Sequence, residues 1–192
     1  MILLAGCSGD VSIGLQLIAY NAKEIAMSWA QSILPEFEHE MASTRKVLER
    51  VPEDKLDWQP HPKSHTIGWN ACHLAEMPGW VGGTFAASSL DIAPVGGPQY
   101  QSPKLRSRKE ILDLFDKNVA AAKKALAAVT DDQVGQMWSL LKAGQTMFSM
   151  PRSAVIRSFV INHIIHHRAI LCVYLRLNNI PVPGMYGPSG DE

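Results

Sequence analysis

The segment that most constrains this chain runs from Pro151 to Leu177. Pro151 suits the first turn of a helix, and Pro181 and Pro183 forbid continuation beyond its end. Between them, apolar residues lie nearly all round the helix. Ile156, Val160 and Ile170 occupy one side, and Ile161, Ile165 and Cys172 another. A helix of this kind is packed on several sides. It is either central to a helical domain or partly covered by a partner subunit.

Three further helical segments supply its neighbours. The first runs from about Ser28 to Val51, with Leu34, Phe37, Met41, Leu48 and Val51 at three- and four-residue steps and Thr44 filling the missing step. Ser28 and Gln31 predict a capping box, and Pro52 ends the segment. Asp57 to Pro62 reads as a loop. The second starts near Ser64 or Thr66 and carries Ile67, Trp69, His73, Met77 and Trp80. Pro78 inside it predicts a kink or a stop, and Gly79, Gly82 and Gly83 weaken any helix beyond it. Residues 91–106 hold Pro94, Gly96, Gly97, Pro98 and Pro103 and read as a long loop. Ser107 and Glu110 cap a third helix through Leu112, Phe115, Val119, Ala122, Leu126 and Val129. Trp138 to Ser149 reads as a short hairpin or irregular connection around Lys142-Ala143-Gly144-Gln145. The expected fold is all-α, a four-helix bundle over residues 27–184 with that short segment before the last helix. Residues 185–192 are expected to form a loose tail.

Lys plus Arg equals Asp plus Glu, 18 of each, so no excess of positive charge marks a nucleic-acid partner. No stretch has the length of a transmembrane helix. Three cysteines, Cys7, Cys72 and Cys172, are spaced too widely for a zinc ribbon and read as reduced thiols in a cytoplasmic protein. Cys72 and Cys172 both turn away from the nearest histidines and read as buried structural thiols. Leu4-Ala5-Gly6-Cys7 has the letters of a lipobox, but no basic region and only a short apolar run precede it. Residues 1–26 therefore read as an added amino-terminal segment, either disordered or arising from an early start site.

Chemistry concentrates in Asn162-His163-Ile164-Ile165-His166-His167-Arg168. His163 and His167, four residues apart, share one face of a helix, about 40° apart around its axis. One helix thus offers two imidazole ligands to one metal ion. Both point into a layer with Ile156, Phe159, Val160, Ile170 and Tyr174, and a buried imidazole needs partners for both nitrogens. His166 lies off this face and reads as a rim residue. Among the other histidines, His39, His61 and His65 sit in polar, loop-like or helix-start surroundings, whereas His73 shares a core stripe with Trp69, Met77, Trp80 and Thr84. His73 is the expected third ligand. Glu76 lies at the edge of its face and reads as an exposed carboxylate, with a fourth ligand or a proton-transfer group as alternatives.

These residues resemble a known family. Gly68-Trp69-Asn70-Ala71-Cys72-His73-Leu74-Ala75-Glu76 and Asn162-His163-x-x-His166-His167-Arg168 are similar to motifs of the DinB-like family. Leu56-Asp57-Trp58-Gln59-Pro60 and Tyr174-Leu175-Arg176-Leu177 before Ile180-Pro181-Val182-Pro183 look like that family too. The resemblance covers about Ser28 to Gly184. It implies a four-helix bundle, often dimeric, with a divalent metal on His73, His163 and His167. Relatives in that superfamily include bacillithiol S-transferases and the mycothiol-dependent maleylpyruvate isomerase, in which a metal activates a low-molecular-weight thiol. The chain departs from the common pattern at Ala169-Ile170, where many members carry Gly-Gln.

The expected function is metal-dependent S-transfer from a small thiol to an electrophile, by a homodimer without nucleic-acid or membrane partners. Zinc or nickel is the expected metal, with iron as a further candidate. Trp69 and Trp80 would wall the pocket beside His166 and Arg168. Tyr174 is a candidate hydrogen-bond donor there, though a core aromatic by pattern, and Arg168 is assigned to the surface or to an anion. A hydrolase acting through bound water and a non-enzymatic metal-binding stress protein are the competing readings.

Overall fold

Ser28 opens the first helix through a reciprocal cap. Its hydroxyl accepts the Gln31 N–H at 3.2 Å, and Gln31 Oε1 accepts the Ser28 N–H at 2.9 Å. The structure is a computed structural model and describes residues 27–192; the lipobox letters and Cys7 lie outside the described residues. Helix α1 spans Trp29–Leu48 and buries Ile33, Phe37, Met41, Thr44, Val47 and Leu48. It stops three residues earlier than its apolar stripe predicts. Val51 stays buried because a tight turn comes next, with its N–H donating to the Leu48 carbonyl at 3.2 Å.

Thr66 caps α2 (Ile67–Glu76) by accepting the Trp69 N–H at 3.1 Å. Gly68 sets how closely α2 approaches the preceding loop. Its N–H donates to the Leu56 carbonyl at 2.8 Å, and a Cβ there would meet that oxygen at 2.9 Å. The break expected at Pro78 takes the form of one 3-10 turn, Met77–Gly79, after which the chain resumes as α3 (Trp80–Ala86). Helix α4 (Arg108–Ala128) begins at the Ser107–Glu110 capping box, and a five-residue α5 (Asp131–Gly135) comes after it.

The expectation of an all-α domain needs correction. A three-stranded sheet stands beside the helices: β1 (Ser89–Asp91) pairs in parallel with β2 (Met137–Lys142), and β2 pairs antiparallel with β3 (Gln145–Pro151). The β2–β3 connection is the expected hairpin, and Ala143 and Gly144 both take positive φ, 52° and 76°. Asp91 clamps the turn by accepting the Ala143 and Gly144 N–H groups at 3.1 and 2.7 Å. Strand β1 carries no sequence signal because three residues are too few to show alternation.

The last helix is continuous but not uniform. Arg152–Ala154 forms a single turn (α6), Val155–Ile161 is π-helical, and α7 spans Asn162–Leu177. The wider π turns change the helix phase just before His163. Helix α1 packs against α4 and α7, and α2 packs against the same two helices. Their shared core includes Phe37, Leu74, Met77, Phe115, Ile161 and Ile164. A second small core of Trp138, Leu140 and Val155 lies under the sheet.

The tail is tied down rather than loose. Asp191 pairs with Arg176 and accepts the Val182 N–H at 2.8 Å, while the Tyr186 hydroxyl reaches Glu40 at 3.0 Å. Among the described residues, no helix is long and apolar enough to cross a membrane.

Candidate metal centre

Helices α2 and α7 pack side by side, and this brings His73 of α2 to His163 and His167 of α7. One ligand atom from each lies within 4.8 Å of the other two. Ring centroids are 5.1 Å apart for His73–His163 and 4.8 Å apart for both His73–His167 and His163–His167. His163 Nε2 and His167 Nε2 are 3.1 Å apart. Two nitrogens bound tetrahedrally at the usual zinc–nitrogen length stand about 3.3 Å apart. The α7 pair is therefore spaced for a common ion.

Neighbouring side chains fix which nitrogens face inward. Asn70 Nδ2 donates to the Thr66 carbonyl at 2.9 Å, so its Oδ1 is the atom that meets His167 Nδ1 at 2.9 Å. An amide oxygen only accepts, so His167 carries its proton on Nδ1 and leaves Nε2 bare. His73 Nδ1 lies 2.6 Å from Glu76 Oε1, which fixes that ring in the same way. Glu76 is held in turn by the Tyr100 hydroxyl on Oε2 and by Ser102 Oγ on Oε1 at 2.7 Å. His163 Nδ1 is buried without a hydrogen-bond partner among the described residues.

The 3.1 Å contact between the two Nε2 atoms is hydrogen-bond distance, so a proton on His163 Nε2 bridges the pair in the metal-free protein and a cation takes its place when bound. The donor set fits a divalent transition metal, and the Asn70 and Glu76 contacts are the outer partners that orient histidine ligands. Electrostatics agree with this. Burial, reinforced by the neighbouring His73, pushes His167 down to about 3. Burial followed by His73 also lowers His163. Neutral imidazole is the ligating form.

Aromatic rings enclose the cluster. Trp69 stacks on His73 at 4.6 Å and tilts over His167 at 5.5 Å. Trp80 meets His73 at 5.4 Å and His163 at 5.7 Å, and Phe159 lies 5.7 Å from His163. Trp69 also lines a cavity of about 620 Å³ that holds Tyr100, Ser102, Lys104 and Arg106. Trp80 and Phe159 line a second, apolar one of about 440 Å³. Tyr100 belongs to both.

The other residues singled out from the sequence fall in mixed places. Glu76 is buried, not an exposed carboxylate; the residues 91–106 segment folds back over it, which no pattern in the sequence announces. His166 is exposed at the rim, its ring 5.0 Å from His167. Arg168 is not on the surface. It is 2 % exposed, paired with Glu40 at 2.7 Å, and its Nη1 donates to the Glu40 carbonyl at 3.0 Å. It ties α7 to α1 and lines neither cavity. Tyr174 packs its ring on Trp58 at 5.6 Å, about two helical turns beyond His167, as a core aromatic. Cys72 is buried, whereas Cys172 is only partly so. Burial raises both thiols, which keeps them protonated.

Asn70, Tyr100 and Ser102 are site residues that the sequence pattern does not single out. Asn70 sits one turn before His73 on α2, a spacing that the sequence does show. The other two come from a loop with no periodicity.

Comparison with known proteins agrees with this architecture. Residues 36–171 match the sequence model of the DinB superfamily. The chain is 27 % identical over 160 residues to the uncharacterized protein YrdA of Bacillus subtilis (strain 168), covering 83 % of this chain and 89 % of that protein. The crystal structure of a DinB-like protein from Bacillus cereus ATCC 10987 superposes with a TM-score of 0.63 at 26 % identity, over 83 % of this chain and 99 % of that one. A DinB-like protein of Bacillus subtilis, YjoA, shares the fold with a TM-score of 0.58 at 16 % identity, over 78 % and 96 %. With the family match running from α1 into α7, the chain belongs to the DinB superfamily.

Proposed function

We propose that this protein holds a divalent metal ion on His73, His163 and His167 and transfers a small thiol to an electrophile. The observation that carries the reading is the inward convergence of the histidine nitrogens, with Asn70 and Glu76 holding two of the rings by their far sides. Three histidine ligands leave a coordination position open, as in reactive rather than purely structural centres. Zinc or nickel suits this donor set, and iron is a further candidate. When bound, such an ion supplies the positive charge that favours the deprotonated form of a neighbouring thiol.

The chain's own residues do the rest. Glu76 and Asn70 keep the ring orientations, and Trp69, Trp80 and Phe159 pack apolar rings against the cluster. The larger cavity, with Lys104, Arg106 and Ser102, suits the polar body of a small thiol. In the transfer the sulfur supplies the electron pair of the new carbon–sulfur bond. The leaving group departs with the pair of the broken bond, and the thiol proton passes to solvent. The same reading takes α1, α2, α4 and α7 as one four-helix bundle that dimerises, and the exposed Val173 and Leu177 on α7 offer apolar surface for the partner.

The test uses metal-loaded protein, 1-chloro-2,4-dinitrobenzene and a panel of cellular thiols. Conjugation that requires both thiol and metal is the expected result. Turnover without any thiol would replace the reading with a hydrolase, and absence of turnover would leave a metal-binding protein without this activity.

A further inference from the structure

We infer that the apolar cavity beside His163 is the site for the carbon skeleton of the electrophile, and that it selects an uncharged aryl or alkyl group. This rests on the transfer reading for the identity of the reaction, but the cavity and its selectivity are properties of the fold alone. Trp80 and Phe159 stack on each other at 5.4 Å, and each also lies 5.7 Å from the His163 ring. The wall of the cavity is therefore also the wall of the histidine cluster. Leu90, Ile92, Trp138 and Leu140, from the sheet and its approach, close the far side. The sheet beside the helices thus builds one wall of this site.

The lining decides the ligand class. Among the described residues Tyr100 is its only ionisable side chain, and burial followed by the Glu76 hydrogen bond raises that phenol, so it stays neutral. Thr84 spends its hydroxyl on the Trp80 carbonyl at 3.0 Å. A charged group entering this place would lose water and find no opposite charge, only the unpartnered Trp138 indole N–H and the Ser89 hydroxyl, whereas an apolar ring or chain would only shed water. A volume of about 440 Å³ falls within the range of small-molecule sites.

Small residues keep the cavity open. Gly83 lines it, and a Cβ built there meets nothing within 4 Å. Gly83→Leu therefore adds bulk to the empty space without a backbone clash, and a helical position favours leucine over glycine. Ala86→Leu, one turn on and lining the same cavity, is an independent second filling.

The experiment is a ligand-observed NMR titration on chelator-treated protein, so that its outcome does not depend on the metal. The probes are 1,3-dinitrobenzene and its charged counterpart 3,5-dinitrobenzoate. The neutral probe should bind at least about tenfold more tightly than the carboxylate, and each filling variant should weaken it by about tenfold or more. Equal affinity for the two probes, or unchanged affinity in both variants, overturns the inference. Conjugation activity separates the two levels. If the neutral probe binds as expected but thiol conjugation is absent, the transfer reading fails and the cavity stands. If conjugation proceeds and neither filling variant slows it, the cavity is not where the electrophile sits.

Discussion

Asn70→Ala probes the support of the cluster without removing a ligand. Asn70 is 1 % exposed and spends both ends of its amide, one on the Thr66 carbonyl and one on His167 Nδ1. Alanine leaves the buried His167 N–H without an acceptor, a cost of about 1–3 kcal/mol. For a domain of this length each kcal/mol lowers the melting temperature by about 2–4 °C, so metal-free protein should melt about 2–12 °C lower. The ring also loses the contact that fixes its tautomer, and a proton on Nε2 would block the ligand position. Loss of an outer partner of this kind weakens metal affinity about 10–100-fold. Competition with a chromophoric chelator measures zinc affinity, and calorimetry of the metal-free protein measures stability. Asn70→Asp retains an acceptor and should hold affinity near that of the wild type. Wild-type zinc affinity in Asn70→Ala would refute the reasoning, whatever the melting temperature.

Acid should destabilise the metal-free protein in a defined window. His167 is pushed down to about 3 in the folded state, so below its unfolded value near 6.5 only the unfolded chain takes up the proton. Its contribution is fully present above about pH 6.5 and is lost as pH falls towards 3; urea midpoints across that range should decline, and a rise on acidification would contradict the assignment. Arg168→Met strands the buried Glu40 carboxylate, and removal of one partner of such a pair costs about 3–5 kcal/mol. A fall in melting temperature of at least about 6 °C should appear in calorimetry. Gly68→Ala drives a Cβ to 2.9 Å from the Leu56 carbonyl, so α2 must shift; a loss of about 1–3 kcal/mol in urea unfolding is expected, against near neutrality for Gly135→Ala, where a Cβ has open space.

Helix existence was legible because capping boxes and apolar periodicity are local signals. Ser28–Gln31, Ser107–Glu110 and the Pro151 start all appear in place. The core stripes also brought out His73, His163 and His167, since a histidine among apolar neighbours at helical spacing is visible in one dimension. What sits behind those rings was not legible. Glu76 looked like a surface carboxylate because the residues that bury it, Tyr100 and Ser102, arrive from a loop more than twenty positions away. Arg168 misled for the same reason, as Glu40 lies on α1. The π-helical turns before His163 left no mark in composition, and β1 gains its strand character only by pairing with β2, far along the chain. Long-range partners, not local propensity, decided each of these.

The central claim is that three histidine nitrogens share one metal ion. Elemental analysis of untagged protein, expressed without added nickel, tests it most directly. The expected result is one divalent transition metal per chain, and its loss in His163→Ala with retained helical circular dichroism. Protein that carries no stoichiometric metal and takes up none from zinc or nickel solutions, or a His163→Ala variant that keeps its full metal content, would contradict it.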